Sequence, residues 1–355
     1  MLRRYLKKTE VGRARNAYMV ALCTLFIIGC QSLPTGEQNQ KAQILIVDSS
    51  FAPIGERDQL FASCYLISES SSNLPEKGEC YNKDDWKRLS SMPQEMIEGY
   101  LDANARKDTA SSTKWKKAKK KKLESALEAK RLLKLTTHGT RSFALAEKGA
   151  GKELIPIFVR NTSSTVGGTV AKGCSIGSWT DADIKEFSSG KLFDYQERIS
   201  KILSANSGVR VVNISLGYKL AWMIEDNPKC TKQRVEKEYE ALMATWRSLF
   251  KKHLDVKFVV AAGNEGEDFS KSNLKEGDLW SALSGQPNLI LVGALDDTGN
   301  DKMSFSNFGL KEMAWEIGSN ISIQYPTPLH KNGYPSFAHG TSSSAPLHAG
   351  KILKK

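Results

Sequence analysis

An α/β doubly wound parallel sheet is the architecture this chain predicts, on three observations. Short apolar, β-branched runs recur along it, at Ile44–Val47, Leu154–Val159, Val209–Ile214, Val256–Ala262 and Leu289–Gly293. Longer amphipathic stretches separate them. Polar, chemistry-bearing residues stand where several of the runs end. Strands buried on both faces read as continuous apolar runs, and parallel neighbours need crossover helices between them.

The connectors support this. Helices are predicted at Tyr195–Ala205 and Arg234–His253, and in the second Leu242, Trp246 and Leu249 recur at helical spacing. The 355 residues carry 40% apolar and 25% charged side chains, ordinary globular composition that excludes a disordered or fibrous chain. A polytopic membrane protein is excluded too, because the longest apolar run, Ala17–Ile28, is short for a span.

That run belongs to the N-terminus. Arg3, Arg4, Lys7, Lys8, Arg13 and Arg15 face one acid, Glu10, before it, and Gly29-Cys30 follow. A basic segment, a short apolar core and a small residue at the break describe an export signal over residues 1–29. Ile27-Ile28-Gly29-Cys30 resembles a bacterial lipobox, in which Cys30 is lipidated and becomes the new N-terminus. The alternative is a signal cleaved elsewhere, with an incidental cysteine. Residues 30–42 then form a lipidated tether, and residues 43–355 the folded domain. Lipid chains at Cys30 imply a bacterial cell-envelope location, and by resemblance to the sorting rules of Gram-negative bacteria Gln31 after it favours the outer membrane.

Cys64, Cys80, Cys174 and Cys230 remain, an even number in an exported chain, so disulfides are expected. Three connectivities are open; Cys64 to Cys80 closes the shortest loop.

A basic helical insertion is expected over about residues 51–135, where no sheet-core strand is apparent. Seven of the nine residues of Lys114–Lys122 are lysine. Residues 101–135 carry a net +8 and the signal a net +5, against +12 overall, so the rest of the chain is close to neutral. Such a run is a solvated helix face or a patch that assists membrane attachment through anionic headgroups. Nucleic acid is not expected as a partner, since no groove-reading motif is present.

The chemistry lies at three places. Asp48 ends the first strand, His138-Gly139-Thr140 opens a helix-compatible segment, and Gly340-Thr341-Ser342-Ser343-Ser344-Ala345-Pro346 enters another. A serine hydroxyl needs a base to take its proton, imidazole is that base, and a buried carboxylate fixes its tautomer. In open α/β sheets such groups gather at the carboxyl ends of strands.

In the order Asp…His…Ser these motifs resemble the subtilisin-like serine proteases (subtilases). Val211-Val212-Asn213-Ile214-Ser215-Leu216-Gly217 is similar to the family's substrate strand, and Val259-Val260-Ala261-Ala262-Gly263-Asn264-Glu265-Gly266 to its oxyanion segment. Leu289–Ala294 and Ser304-Phe305-Ser306-Asn307-Phe308-Gly309 match a later strand and loop. The likeness covers roughly 43–51 and 132–350. It implies a subtilisin-like fold with Asp48 orienting His138, His138 as general base, Ser342 as nucleophile and Asn264 as oxyanion donor. It also implies that Ser215, Leu216 and Gly217 pair with an extended peptide or protein substrate, and that with Ala261, Ala262 and Gly263 they wall its primary pocket. Calcium is the cofactor the family suggests; no acidic loop makes a site for it, and no metal ligands are assigned.

Two departures stand out: Ser50 where the family has Gly, and Arg141-Ser142-Phe143-Ala144 after His-Gly-Thr. Asp48 lies 18 positions after Cys30, so folding without a prodomain, or with a partner, is expected. Ser342 is followed by 13 residues, which puts stability more than chemistry in question. The expected activity is that of a lipid-anchored serine endopeptidase. The alternative is a catalytically silent subtilase-fold lipoprotein that binds or scaffolds. A lipase or esterase is disfavoured by the order of the three groups.

Overall fold

The computed structural model describes residues 41–48, 51–52, 64–67, 76–78, 83–95, 97–98, 123–161, 196–225, 228, 230–271, 278–328 and 330–354. The signal, Cys30, the tether to residue 40 and Lys114–Lys122 lie outside them.

The strands are β1 (Gln43–Asp48), β2 (Cys64–Ile67), β3 (Glu76–Gly78), β4 (Ile155–Asn161), β5 (Val209–Ile214), β6 (Lys257–Ala261), β7 (Leu289–Leu295), β8 (Ala314–Ile317), β9 (Ile321–Thr327) and β10 (His330–Ala338). The helices are α1 (Lys83–Ser90), α2 (Leu123–Ala150), α3 (196–205), α4 (Leu220–Glu225), α5 (Lys232–Lys252), α6 (Leu279–Ala282) and α7 (Thr341–Lys354). One eight-stranded sheet has the order β3-β2-β4-β1-β5-β6-β7-β8, and β9 and β10 form an antiparallel pair. Every pairing in the large sheet is parallel except β2 with β3 at its edge.

Alternation along β1 shows why this sheet needs helices on both faces. Leu45 and Val47 point into a cluster with Trp246, Phe250 and Trp280 from the α5–α6 side. Ile44 and Ile46 point the other way, against Phe143, Ala146, Ala345 and Ala349 of α2 and α7. Trp246 and Trp280 meet edge to face at 4.9 Å, a geometry worth about 1 kcal/mol beyond area burial. Thr231 caps α5, its hydroxyl accepting from the Arg234 amide.

Small residues let α2 and α7 lie side by side under the sheet. A Cβ added to Gly350 would strike the Ala146 carbonyl oxygen, and one on Gly149 the Leu347 carbonyl oxygen. The outer side of this pair is covered by Leu89 of α1 and by Ile321, Ile323 and Tyr325 of β9, packed on Leu132, Leu133 and Leu145.

Three expectations need correction. The segment between the Asp and His motifs is not free of sheet strands: β2 pairs with β4 inside the large sheet. Four residues are too short for periodicity to mark as a strand. His138 does not open a helix either, because α2 begins fifteen residues earlier, at Leu123. Its N-terminal half follows directly on Lys114–Lys122 and reads with that run as part of the basic insertion. Finally, Cys64 is a buried free thiol, so the shortest loop is not closed. Cys230 is disulfide-bonded, and its partner lies outside the described residues.

Candidate active site

Asp48 ends β1 with its side chain fully buried, between two parallel neighbours. His138 Nδ1 lies 2.9 and 2.8 Å from its two carboxylate oxygens. A nitrogen facing two acceptors is the protonated one, so Nε2 is left as the acceptor on the other side of the ring. Ser142, one turn further along α2, donates to Asp48 Oδ2 at 3.2 Å and to the His138 carbonyl at 3.1 Å. Thr140 ties the chain leaving β1 to the same helix, its hydroxyl accepting from the Ala52 amide at 2.7 Å and donating to the Ala52 carbonyl at 3.0 Å. The His-Gly-Thr segment thus places its histidine mid-helix and uses its threonine to anchor β1.

Ser342 stands in the first turn of α7, half-buried. Ser343 and Ser344 are fully buried, and the Ser343 hydroxyl donates back to the His339 carbonyl. Pro346 sits within α7 and lacks an N–H, so it leaves the Ser342 carbonyl without its helical donor. Ser215 Oγ approaches that carbonyl at 3.5 Å.

Gly340 turns the chain into α7 with φ of +105°, a conformation open to glycine. A Cβ there would lie 3.5 Å from Ser342 Oγ and 3.3 Å from Asn264 Oδ1, so both side chains border one small space. Asn264 Oδ1 accepts from the Thr341 amide at 2.8 Å and from its hydroxyl at 3.2 Å. With the oxygen so engaged, the Asn264 NH2 is the end left to donate.

The segments after β5 and β6 flank this space. Ser215, Leu216 and Gly217 continue out of β5; the Leu216 carbonyl accepts from Trp280 Nε1 at 2.7 Å. Ala261 and Ala262 send their side chains into the two cores, so only their backbone and Gly263 can face a ligand. Asn307 braces the segment after β6: its Nδ2 donates to the Ala262 carbonyl at 2.9 Å, and its Oδ1 accepts from the Glu265 and Glu267 amides.

A match to the subtilase family extends over residues 67–354. The chain belongs to the subtilase family. The matched span includes His138, Asn264 and Ser342 and begins after Asp48. Among solved structures, this subtilase is similar to the PatG macrocyclase in complex with peptide, at 15% identity and a TM-score of 0.44, over 87% of this chain and 73% of that one. It is similar to the subtilase cytotoxin SubAB assembly at 16% and 0.44, over 89% and 76%. The epidermin leader peptide processing serine protease of Staphylococcus aureus also matches, at 16% and 0.44, over 88% and 65%. No curated protein matches.

The other histidines of the subtilase chain have partners elsewhere: His253 with Ser200 at 2.8 Å, His330 with Glu98 at 2.7 Å, His339 with the Asn320 amide and His348 with Glu316. A Gly-x-Ser-x-Gly spelling occurs at 173–177, outside the described residues. Among the described residues no group of three or more His, Cys, Asp or Glu could hold a metal ion, and no helix is long and apolar enough to cross a membrane. The sequence motifs do not single out Thr341, Asn307 or Ser142 as supports. Each lies inside or beside a motif, but a supporting hydrogen bond has no spelling of its own.

Proposed function

We propose that this subtilase is a serine endopeptidase, held at the bacterial cell envelope by lipid on Cys30. The bond from His138 Nδ1 to both oxygens of buried Asp48 carries the reading. It leaves Nε2 as a base, in a chain whose Ser342 and Asn264 border one space.

Ser342 Oγ attacks the scissile carbonyl carbon while its proton passes to His138 Nε2. Asp48 keeps the imidazole in the required tautomer and stabilises the imidazolium. Negative charge moves onto the carbonyl oxygen, where the Asn264 amide and the Ser342 backbone N–H receive it. The Ser342 N–H lies in the first turn of α7, where the positive end of the helix favours that charge. His138 then returns the proton to the leaving amine, the C–N bond breaks, and an acyl-enzyme remains. Water, deprotonated by His138, releases it. The substrate backbone pairs with 215–217 as an added strand. Lys114–Lys122 would assist at an anionic membrane surface.

A fluorophosphonate probe tests this on the mature chain and on Ser342→Ala. Labelling of the first and not the second supports an activated Ser342. A folded wild type that does not label overturns the protease reading and leaves a scaffold.

A further inference from the structure

One ammonium spans the two segments that wall the primary pocket in the proposed protease. Lys219 follows Gly217-Tyr218, and its side chain is 8% exposed. Its Nζ lies 3.1 Å from Glu265 Oε2 and 2.7 Å from Glu267 Oε1, both on the strip that follows Gly263-Asn264. Asn307 Nδ2 and Glu265 Oε2 together fill the side-chain space of Gly263, the carboxylate oxygen 2.6 Å from a Cβ built there. The same oxygen accepts from Asn307 Nδ2 at 2.8 Å. Trp222 closes the other wall, its ring 3.5 Å from a Cβ built on Gly217 and 5.3 Å from Lys219 Nζ. Asp278, buried behind, also feels the Lys219 charge.

We infer that Lys219 is a specificity-determining residue, a cation supplied by the chain itself at the base of the primary pocket. The inference rests on the protease reading and goes beyond it. Two carboxylates at that wall would otherwise recruit a lysine or arginine at P1, the substrate residue on the acyl side of the scissile bond. With Lys219 between them they are already engaged, and a second cation would meet the like charge of the buried Lys219 ammonium. The wild-type pocket therefore takes uncharged P1 side chains and rejects basic ones. Both carboxylates keep some exposure, at 31% and 46%, so an entering side chain can reach them once the ammonium is gone.

The test uses the mature chain, Lys219→Met, Lys219→Arg and Glu267→Gln. Each is first labelled with a fluorophosphonate probe, which reports Ser342 activation without a P1 charge. Each is then given peptide substrates that differ only at P1: Leu, Lys, Arg and Glu. Wild type should prefer Leu over Lys and Arg by about tenfold or more, the scale of one partly buried charge contact. Lys219→Met should raise the Lys/Leu and Arg/Leu ratios of kcat/KM by about tenfold or more, whereas Lys219→Arg should keep the wild-type ratio. Glu267→Gln, at the more exposed carboxylate, leaves more of the Lys219 charge uncompensated and should raise the Glu/Leu ratio. It serves if Lys219→Met does not fold. Labelled, folded variants with P1 ratios unchanged from wild type overturn this inference alone, as does a wild type that already prefers Lys or Arg. Absence of labelling in every chain overturns the protease reading and this inference with it.

Discussion

The Thr341 amide donates to Asn264 Oδ1 at 2.8 Å, one residue before Ser342 in the same helical turn. Through this bond the turn that carries the hydroxyl also sets which way the Asn264 amide faces. The Thr341 hydroxyl accepts in turn from the Gly263 amide at 3.1 Å, closing the link between α7 and the segment that carries Asn264.

Asn264→Ala should therefore lower kcat by about 10²–10³ with little change in KM, because the donor acts on charge that develops only in the transition state. That magnitude is the one known for the oxyanion asparagine of subtilisin, a member of the same family, carried over to this chain. Thr341→Val keeps the backbone bond and loses the hydroxyl, so its kcat loss should be smaller. It should also destabilise by about 1–3 kcal/mol, since the Gly263 N–H loses its acceptor. Steady-state kinetics and denaturant melts separate the two effects.

Asp48→Asn should cost about 10⁴ in kcat, because an amide presents a donor as well as an acceptor and no longer selects the tautomer with Nε2 free. Ser142→Ala removes one of the donors to Asp48 and leaves both His138 contacts in place. Its loss should stay within about a hundredfold, since one hydrogen bond to a charged group is worth about 1.5–3 kcal/mol. A Ser142→Ala effect as large as that of Asp48→Asn would show that the histidine is held differently.

Gly350→Ala should separate the helices that carry His138 and Ser342. The new Cβ would meet backbone of α2, the Ala150 nitrogen at 2.7 Å and the Ala146 carbonyl group, and backbone cannot rotate aside. A stability loss of about 1–3 kcal/mol or more is expected, together with lower activity. Gly285, with open space where its Cβ would be, is the control, and Gly285→Ala should lie within about 0.5 kcal/mol of wild type.

The sequence is legible where one residue type in one place carries the information. The apolar runs that form β1, β4, β5, β6 and β7 need no partner to be recognised, because burial on both faces leaves its mark on every residue. β2, β8 and the β9–β10 pair leave no such mark. They are short or carry polar residues such as Gln324 and Ser336, and they are strands by virtue of their pairing partners. The same division runs through the site. Asp48, His138, Asn264 and Ser342 stand in motifs, whereas the Lys219–Glu265–Glu267 cluster is assembled by the loops after β5 and β6 and has no local pattern.

Asp278 should make stability fall as pH rises. It caps α6, accepting from the Trp280 amide at 2.8 Å, and Trp280 in turn holds the Leu216 carbonyl just after β5. Burial raises its pKa from 3.8 to about 7, against the opposing pull of the Trp280 and Ser281 amides and of Lys219; Glu265 adds a smaller push upward. Tyr239, packed nearby, has its own pKa raised, by burial first and by the Asp278 charge second. A carboxyl with a folded pKa above its unfolded value binds more protons in the folded state, so its contribution is greatest below about pH 4 and is lost as pH approaches and passes 7. Roughly 4 kcal/mol is the full scale of that loss. Asp278→Asn keeps an acceptor for the two amides and cannot ionise. Relative to wild type it should gain stability steadily between about pH 4 and 7 and hold that gain above, in denaturant midpoints measured across the range. A constant difference between the two proteins over that range would mean that Asp278 ionises at its ordinary pH and that the Trp280 anchor is indifferent to its charge.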